Sequence, residues 1–155
     1  MSQSNCFVAA AVQLRPHKSL EENLAGAETL IAEAADAGSQ LVVLPENFAY
    51  LGRKDLADVG LAEQSSGPVC EFLAEQARRH HLWLVGGTVP ISDTQVPKPF
   101  ARSLLFDPRG NVSQQYDKIH LFDVDVADST AEMSQQTRYR ESDDYRRGTD
   151  VVMAQ

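Results

Sequence analysis

Cysteine is scarce in this 155-residue sequence, with only Cys6 and Cys70. No Cys-x-x-Cys and no His-x-x-x-His pair occurs, so the spacings that hold zinc are missing. Of the histidines His17, His80, His81 and His120, two are adjacent. Neighbours on a helix point about 100° apart and cannot share an ion on one face. No metal and no cofactor is expected. Basic residues are in the minority: 14 Lys and Arg against 22 Asp and Glu leave a formal charge of −8. That balance excludes the basic stripe of a nucleic-acid binder and speaks against an anionic membrane surface. No apolar run is long enough to span a bilayer, and Met1-Ser2-Gln3-Ser4-Asn5 offers no basic leader region. The expectation is a cytoplasmic chain in a reducing compartment, without a disulfide. Neither G-x-G-x-x-G nor G-x-x-x-x-G-K is found, so nucleotide-phosphate loops are absent too.

What is present reads as layers of helix and strand. Cys6-Phe7-Val8-Ala9-Ala10-Ala11-Val12-Gln13-Leu14 is continuously apolar, the pattern of a strand covered on both faces. Ser19 stands three residues before Glu22, a capping box. Leu20, Leu24, Ala27, Ile31 and Ala34 follow as one helical stripe, and Gly38 closes the helix. Leu41 to Leu44 is a short buried strand, giving strand–helix–strand within the first 45 residues and an α/β fold class. A second helix is predicted from about Pro68 to His81, with Ser66 as a possible cap. Residues 82–89 form the next strand, and 92–99, with two prolines, a loop. Asp107-Pro108-Arg109-Gly110 is a type I turn joining two hairpin strands, 101–106 and 111–116. Residues 123–147 are polar and weakly periodic and read as a long functional loop. Val151-Val152-Met153 begins another strand. No repeat or low-complexity tract is found.

Two charged residues carry the chemistry. Glu46, in Leu44-Pro45-Glu46-Asn47-Phe48, lies just past the carboxyl end of a buried strand, the edge where α/β sheets form ligand crevices. Pro45 restricts the backbone on either side of itself, so the carboxylate leaves a rigid point and could serve as a general base. Lys118, in Tyr116-Asp117-Lys118-Ile119-His120-Leu121-Phe122-Asp123, could steady an oxyanion across a cleft. Glu141, in Tyr139-Arg140-Glu141-Ser142, could hold that lysine or the substrate. Read one at a time, each is more simply a solvated surface charge. Cys6 and Cys70, inside a strand and a helix pattern, read as small buried hydrophobes. Gly86-Gly87-Thr88 marks a place where backbone passes close to a neighbour.

Taken in order, Val8-Ala9-Ala10-Ala11-Val12-Gln13-Leu14, Leu44-Pro45-Glu46-Asn47-Phe48, Val85-Gly86-Gly87-Thr88, the segment from Tyr116 to Asp123, and Tyr139-Arg140-Glu141-Ser142 resemble the nitrilase, or carbon–nitrogen hydrolase, superfamily. The likeness is to its Nit-type amidases, which act on ω-amides of 2-oxo acids or on deaminated glutathione. The resemblance implies an α-β-β-α sandwich, incomplete in this chain. It further implies Glu46 as general base, Lys118 as oxyanion-stabilising lysine and Glu141 as a supporting glutamate. The family's nucleophile is a cysteine in a Cys-Tyr-Asp-Leu-Arg-Phe-Pro-like motif, which neither Cys6 nor Cys70 matches. Residues 1–155 are thus expected to be the N-terminal portion of one amidase domain whose thiol lies beyond them, the chain alone being inactive. The expected partners are a small carboxylate-bearing amide substrate and further copies in a homodimer or higher homo-oligomer. The alternative is a catalytically dead binding or assembly module of the same fold. A metal hydrolase built on Glu46 and histidines is a third, weaker option.

Overall fold

A computed structural model describes residues 6–52, 54–93, 95–127 and 136–155. In chain order the elements are β1 (Ala9–Ala11), α1 (Leu20–Asp36), β2 (Leu41–Val43), α2 (Leu56–Ser66), α3 (Pro68–His80), β3 (Trp83–Val85), β4 (Val89–Asp93), β5 (Val96–Phe106), β6 (Val112–Asp117), β7 (Asp123–Ala127), β8 (Gln136–Arg140) and α4 (Glu141–Asp144). The α/β class holds. β1, β2 and β3 are parallel, and β5 joins β3 antiparallel and carries β4 and β6. The hairpin β7–β8 forms a separate two-stranded sheet.

α1 begins as its sequence demands. Ser19 Oγ accepts the Glu22 N–H at 3.3 Å, and Gly38, at φ 83°, follows the last turn. Its apolar stripe brings Ala27 and Ile31 onto the sheet beside Val69, Leu73 and Ala77 of α3. Beneath them Ala10, Val42, Leu84 and Phe106 stand in register across four strands. Ile31, Leu73 and Leu84 are fully buried, and each burial contributes about 1.5–3 kcal/mol. The helices cover this face only. Ala11, Val43, Val85 and Leu105 line the opposite face, where Trp83 is 36% and nearby Phe7 64% exposed. The described residues therefore supply one helical layer and one sheet layer of a sandwich. The first apolar run, expected to be covered on both sides, instead forms a three-residue edge strand with an open face.

Other differences have local causes. α2 is a helix the sequence reading did not place. Ser66 is its last residue and caps nothing, because α3 starts from Gly67 with Pro68 in its first turn. The proline-containing stretch 92–99 is largely strand: β4 runs to Asp93, whose carboxylate accepts the N–H groups of Gln95 and Val96, and β5 begins at Val96. Its prolines fall where the β4–β5 register shifts, so no ladder hydrogen bond is lost. Of the stretch 123–147, expected to be a long loop, the described parts are two paired strands, β7 and β8, and the short helix α4, while residues 128–135 lie outside the described residues. Asp123 lies opposite Arg140 and Asp125 opposite Arg138, opposite charges that favour the pairing. Val151-Val152-Met153 forms no strand. The hairpin of β5 and β6 matches expectation, its turn closed by Gly110 N–H to the Asp107 carbonyl.

Gly87 accounts for the close pass read in Gly86-Gly87-Thr88. Its φ is 58°, and a Cβ there would lie 2.0 Å from the Pro45 carbonyl oxygen. The backbone beside Glu46 thus rests directly on the turn after β3. Gly87→Ala should destabilise the fold by about 2 kcal/mol or more, since it combines an unfavourable φ with a clash against backbone. Urea unfolding of the variant checks this, and wild-type stability would refute it.

Candidate functional site

Three segments distant in sequence meet at one ammonium group. Glu46 is delivered by the turn after β2, where Leu44 N–H bonds the Val85 carbonyl and Asn47 N–H bonds Thr88 Oγ1 at 3.0 Å. Asn47 adopts φ 54°, a left-handed conformation that asparagine tolerates better than most residues. Lys118 follows β6, and its backbone is held from both sides: its N–H bonds the Ala101 carbonyl, and its carbonyl accepts from Gly148. Glu141 opens α4 at the end of the hairpin.

Lys118 Nζ lies 2.7 Å from Glu46 Oε1 and 2.9 and 2.8 Å from the two oxygens of Glu141. Those contacts engage all three donors of an ammonium. Glu141 Oε2 also accepts the Phe122 N–H at 2.6 Å, which ties the start of the hairpin to the cluster. The two carboxylates differ in exposure. The side chain of Glu46 is half exposed, that of Glu141 only 14% and that of Lys118 22%. Burial pulls the Lys118 pKa down, but the hydrogen bonds it donates to Glu141 and then Glu46, with their charges, outweigh it and leave the lysine above its usual value. It is a fixed cation at neutral pH.

A cleft of about 870 Å³ opens over these groups. Leu51, Phe122, Tyr139 and the buried Tyr145 give it apolar walls, and Arg138 and Arg140 bring positive charge to its rim. Phe122 and Tyr139 pack as a tilted pair at 6.1 Å. Arg140 makes two 2.9 Å bonds to Asp125, which fixes the hairpin wall. Burial, then the charges of Glu141, Asp144 and Glu46, push the Tyr145 hydroxyl pKa up, so it stays protonated. A smaller apolar hollow of about 510 Å³, lined by Phe7, Leu41, Trp83 and Leu105, lies on the open sheet face and gathers no charged side chain.

The structure thus brings together Glu46, Lys118 and Glu141, the three residues singled out from sequence. It brings neither cysteine to them. Cys6 is exposed beside β1 and Cys70 lies in α3; both are free. Burial, reinforced by the Glu63 charge, pushes the Cys70 thiol up to about 12. Such a thiol is not a nucleophile near neutrality. Sequence reading missed Thr88 and Asn47 as supports of Glu46 and Tyr145 as a wall. For Thr88 the signal was its place directly after the close-packed glycines.

The geometry is that of a layered α/β fold with two carboxylates and an ammonium facing one cleft. The description "Carbon-nitrogen hydrolase" fits residues 8–154, and the chain belongs to that family. It is 34% identical over 146 residues to the deaminated glutathione amidase of Yersinia enterocolitica, spanning 94% of this chain and 49% of that one. It is 38% identical over 121 residues to the zebrafish (Danio rerio) omega-amidase NIT2, spanning 77% of this chain and 42% of that one. The fold superposes on the Caenorhabditis elegans NitFhit protein with a TM-score of 0.76 at 27% identity, covering 93% of this chain and 34% of the other. It superposes on Saccharomyces cerevisiae Nit3, a nitrilase-superfamily member, with a TM-score of 0.74, covering 93% and 49%. The chain spans about half the length, or less, of these curated relatives.

Two outcomes follow from this geometry. Because the Lys118 pKa is raised on folding, its contribution to stability is complete below the unfolded lysine pKa and is lost as pH rises through the folded value. Glu141→Gln should therefore flatten the alkaline end of the stability–pH curve, measured by thermal melts; an unchanged curve would show that the pair is not formed. Iodoacetamide at pH 8 should alkylate Cys6 readily and Cys70 only after unfolding, read by peptide mass spectrometry. Equal rates at the two thiols would contradict the burial of Cys70.

Proposed function

We propose that the chain provides the glutamate and lysine of a Cys-Glu-Lys carbon–nitrogen hydrolase that releases ammonia from a small carboxylate-bearing amide. The observation that carries the reading is the 2.7 Å contact between Lys118 Nζ and Glu46 at the floor of the cleft. The contact supports the reading because acyl transfer needs a base and an oxyanion donor close to the same reacting atoms. The names of the amidase relatives support the substrate class.

In this reading a cysteine outside these 155 residues is the nucleophile, since Cys6 and Cys70 both lie elsewhere in the fold. Glu46 takes the thiol proton, and the thiolate forms a bond to the amide carbonyl carbon. The oxyanion receives a hydrogen bond from Lys118. One of the two contacts Lys118 makes with Glu141 is exchanged for it, and Glu141 keeps its bond from Phe122 N–H. Collapse of the intermediate breaks the carbon–nitrogen bond, and Glu46 returns the proton to the departing ammonia. Water, deprotonated by Glu46, then cleaves the thioester to release the acid and restore the thiol. Glu141 has a positioning role, holding the lysine and the hairpin wall. The 155 residues are read as the N-terminal portion of a single domain that pairs with a second copy in the cytoplasm.

The lack of a thiol at the cleft favours a second reading, a non-catalytic module that keeps the pocket. Ammonia release from an ω-amide of a 2-oxo dicarboxylic acid separates the two. Residues 1–155 alone should show no turnover. A polypeptide that continues into a Cys-Tyr-Asp-like segment should turn over and should lose about 10³-fold or more in kcat/KM on Glu46→Gln or Lys118→Ala. Near-normal turnover in either variant would remove the assigned role, and no turnover in any extended form would favour the non-catalytic module.

A further inference from the structure

Glu63 is the one fully buried carboxylate among the described residues, and no part of the proposed chemistry uses it. It sits in the last turn of α2. Its Oε1 accepts the Tyr50 hydroxyl at 2.6 Å and the Val69 N–H at 3.0 Å, and its Oε2 accepts the Cys70 N–H at 3.0 Å. Val69 and Cys70 are the second and third residues of α3, so Glu63 fills the capping role that Ser66 was expected to play. A carboxylate at a helix N-terminus satisfies otherwise unpaired N–H groups and is favoured by the helix dipole. Gly67 makes this geometry possible, since a Cβ there would lie 2.6 Å from the Glu63 carboxyl carbon.

Capping explains two of the three bonds. The third reaches out of the helical layer to Tyr50, four residues after Glu46 on the same turn. That turn is pinned at three points: Asn47 N–H to Thr88, the Ala49 carbonyl to the buried Asn23 amide at 2.9 Å, and the Tyr50 hydroxyl to Glu63. Phe48, Ala49 and Tyr50 are all buried, so the turn is a packed segment. The Glu46 side chain is half exposed, and its bond in the cluster is to Lys118. Its position is therefore set by the backbone that carries it, not by its own packing.

We propose that Glu63 is a positioning residue that acts through Tyr50 to hold the Glu46 turn, and so keeps Glu46 within reach of Lys118. The inference rests on the reading of Glu46 and Lys118 as a functional pair. It goes further, in assigning a residue outside the cleft to the alignment of that pair.

The test uses the intact chain and the NMR titration of the Lys118 side chain, which reports the Glu46 contact without any need for turnover. Glu46→Gln sets the reference, the downward shift of the Lys118 midpoint when that partner loses its charge. Tyr50→Phe keeps the ring and leaves both cap bonds of Glu63 in place. It should move the midpoint by roughly half or more of the reference shift. Glu63→Gln, which still offers Tyr50 an oxygen, should leave the midpoint near wild type, whereas Glu63→Leu should move it as Tyr50→Phe does. A lower melting temperature in Tyr50→Phe with an unmoved Lys118 midpoint would overturn the proposal and leave Glu63 as a helix cap only. A Lys118 midpoint unmoved by Glu46→Gln would overturn it by removing the pair itself. An amidase assay that fails produces neither pattern, so failure of the functional reading stays distinguishable.

Discussion

One ammonium group shared by two carboxylates organises this end of the molecule. Glu46 and Glu141 come from segments far apart in sequence and repel one another; Lys118 Nζ, within 3 Å of both, makes their approach favourable. Because Glu141 also takes the Phe122 N–H, the same node decides where the β7–β8 hairpin sits and thus where the cleft has its wall. The sheet supplies the other half of the constraint. Gly87 lets the turn after β3 pack against the Pro45 carbonyl, so Glu46 is presented from backbone that rests directly on that turn. Placement of Glu46 is therefore a packing result and placement of Lys118 an electrostatic one.

How legible each part was follows from where its determinants lie. α1 announced itself through Ser19, Glu22 and an unbroken apolar stripe, all local signals. α2 did not, because its buried positions Leu56, Val59, Gly60 and Glu63 have helical spacing but put a glycine and a charge where apolar residues were sought. The hairpin β7–β8 carried a period of two in Asp123-Val124-Asp125-Val126, yet that alternation gains meaning only when Arg138 and Arg140 arrive opposite. β5 was hidden by its prolines, which are tolerated because the register breaks there.

The site was legible in identity but not in geometry. Glu46, Lys118 and Glu141 could be named because short words around them recur in one family. That all three donors of Lys118 would be engaged, and that Glu141 would be the more buried carboxylate, depended on the tertiary path of residues 118–141. The supports Asn23 and Glu63 gave no sequence signal, since each reaches the Glu46 turn through one hydrogen bond to a segment formed elsewhere. The open face lined by Trp83, Leu41 and Leu105 could not be read in advance either: an apolar strand looks the same whether one or both of its faces are covered.

The account stands most directly on whether the cleft presents Lys118 to an amide. The decisive measurement is the shift of the Lys118 Nζ nitrogen resonance as a small ω-amide carboxylate is titrated into the chain. The account predicts a saturable change at Lys118 that is lost when Glu46 is replaced by glutamine. A response spread evenly over the surface lysines, with none specific to Lys118, would contradict it.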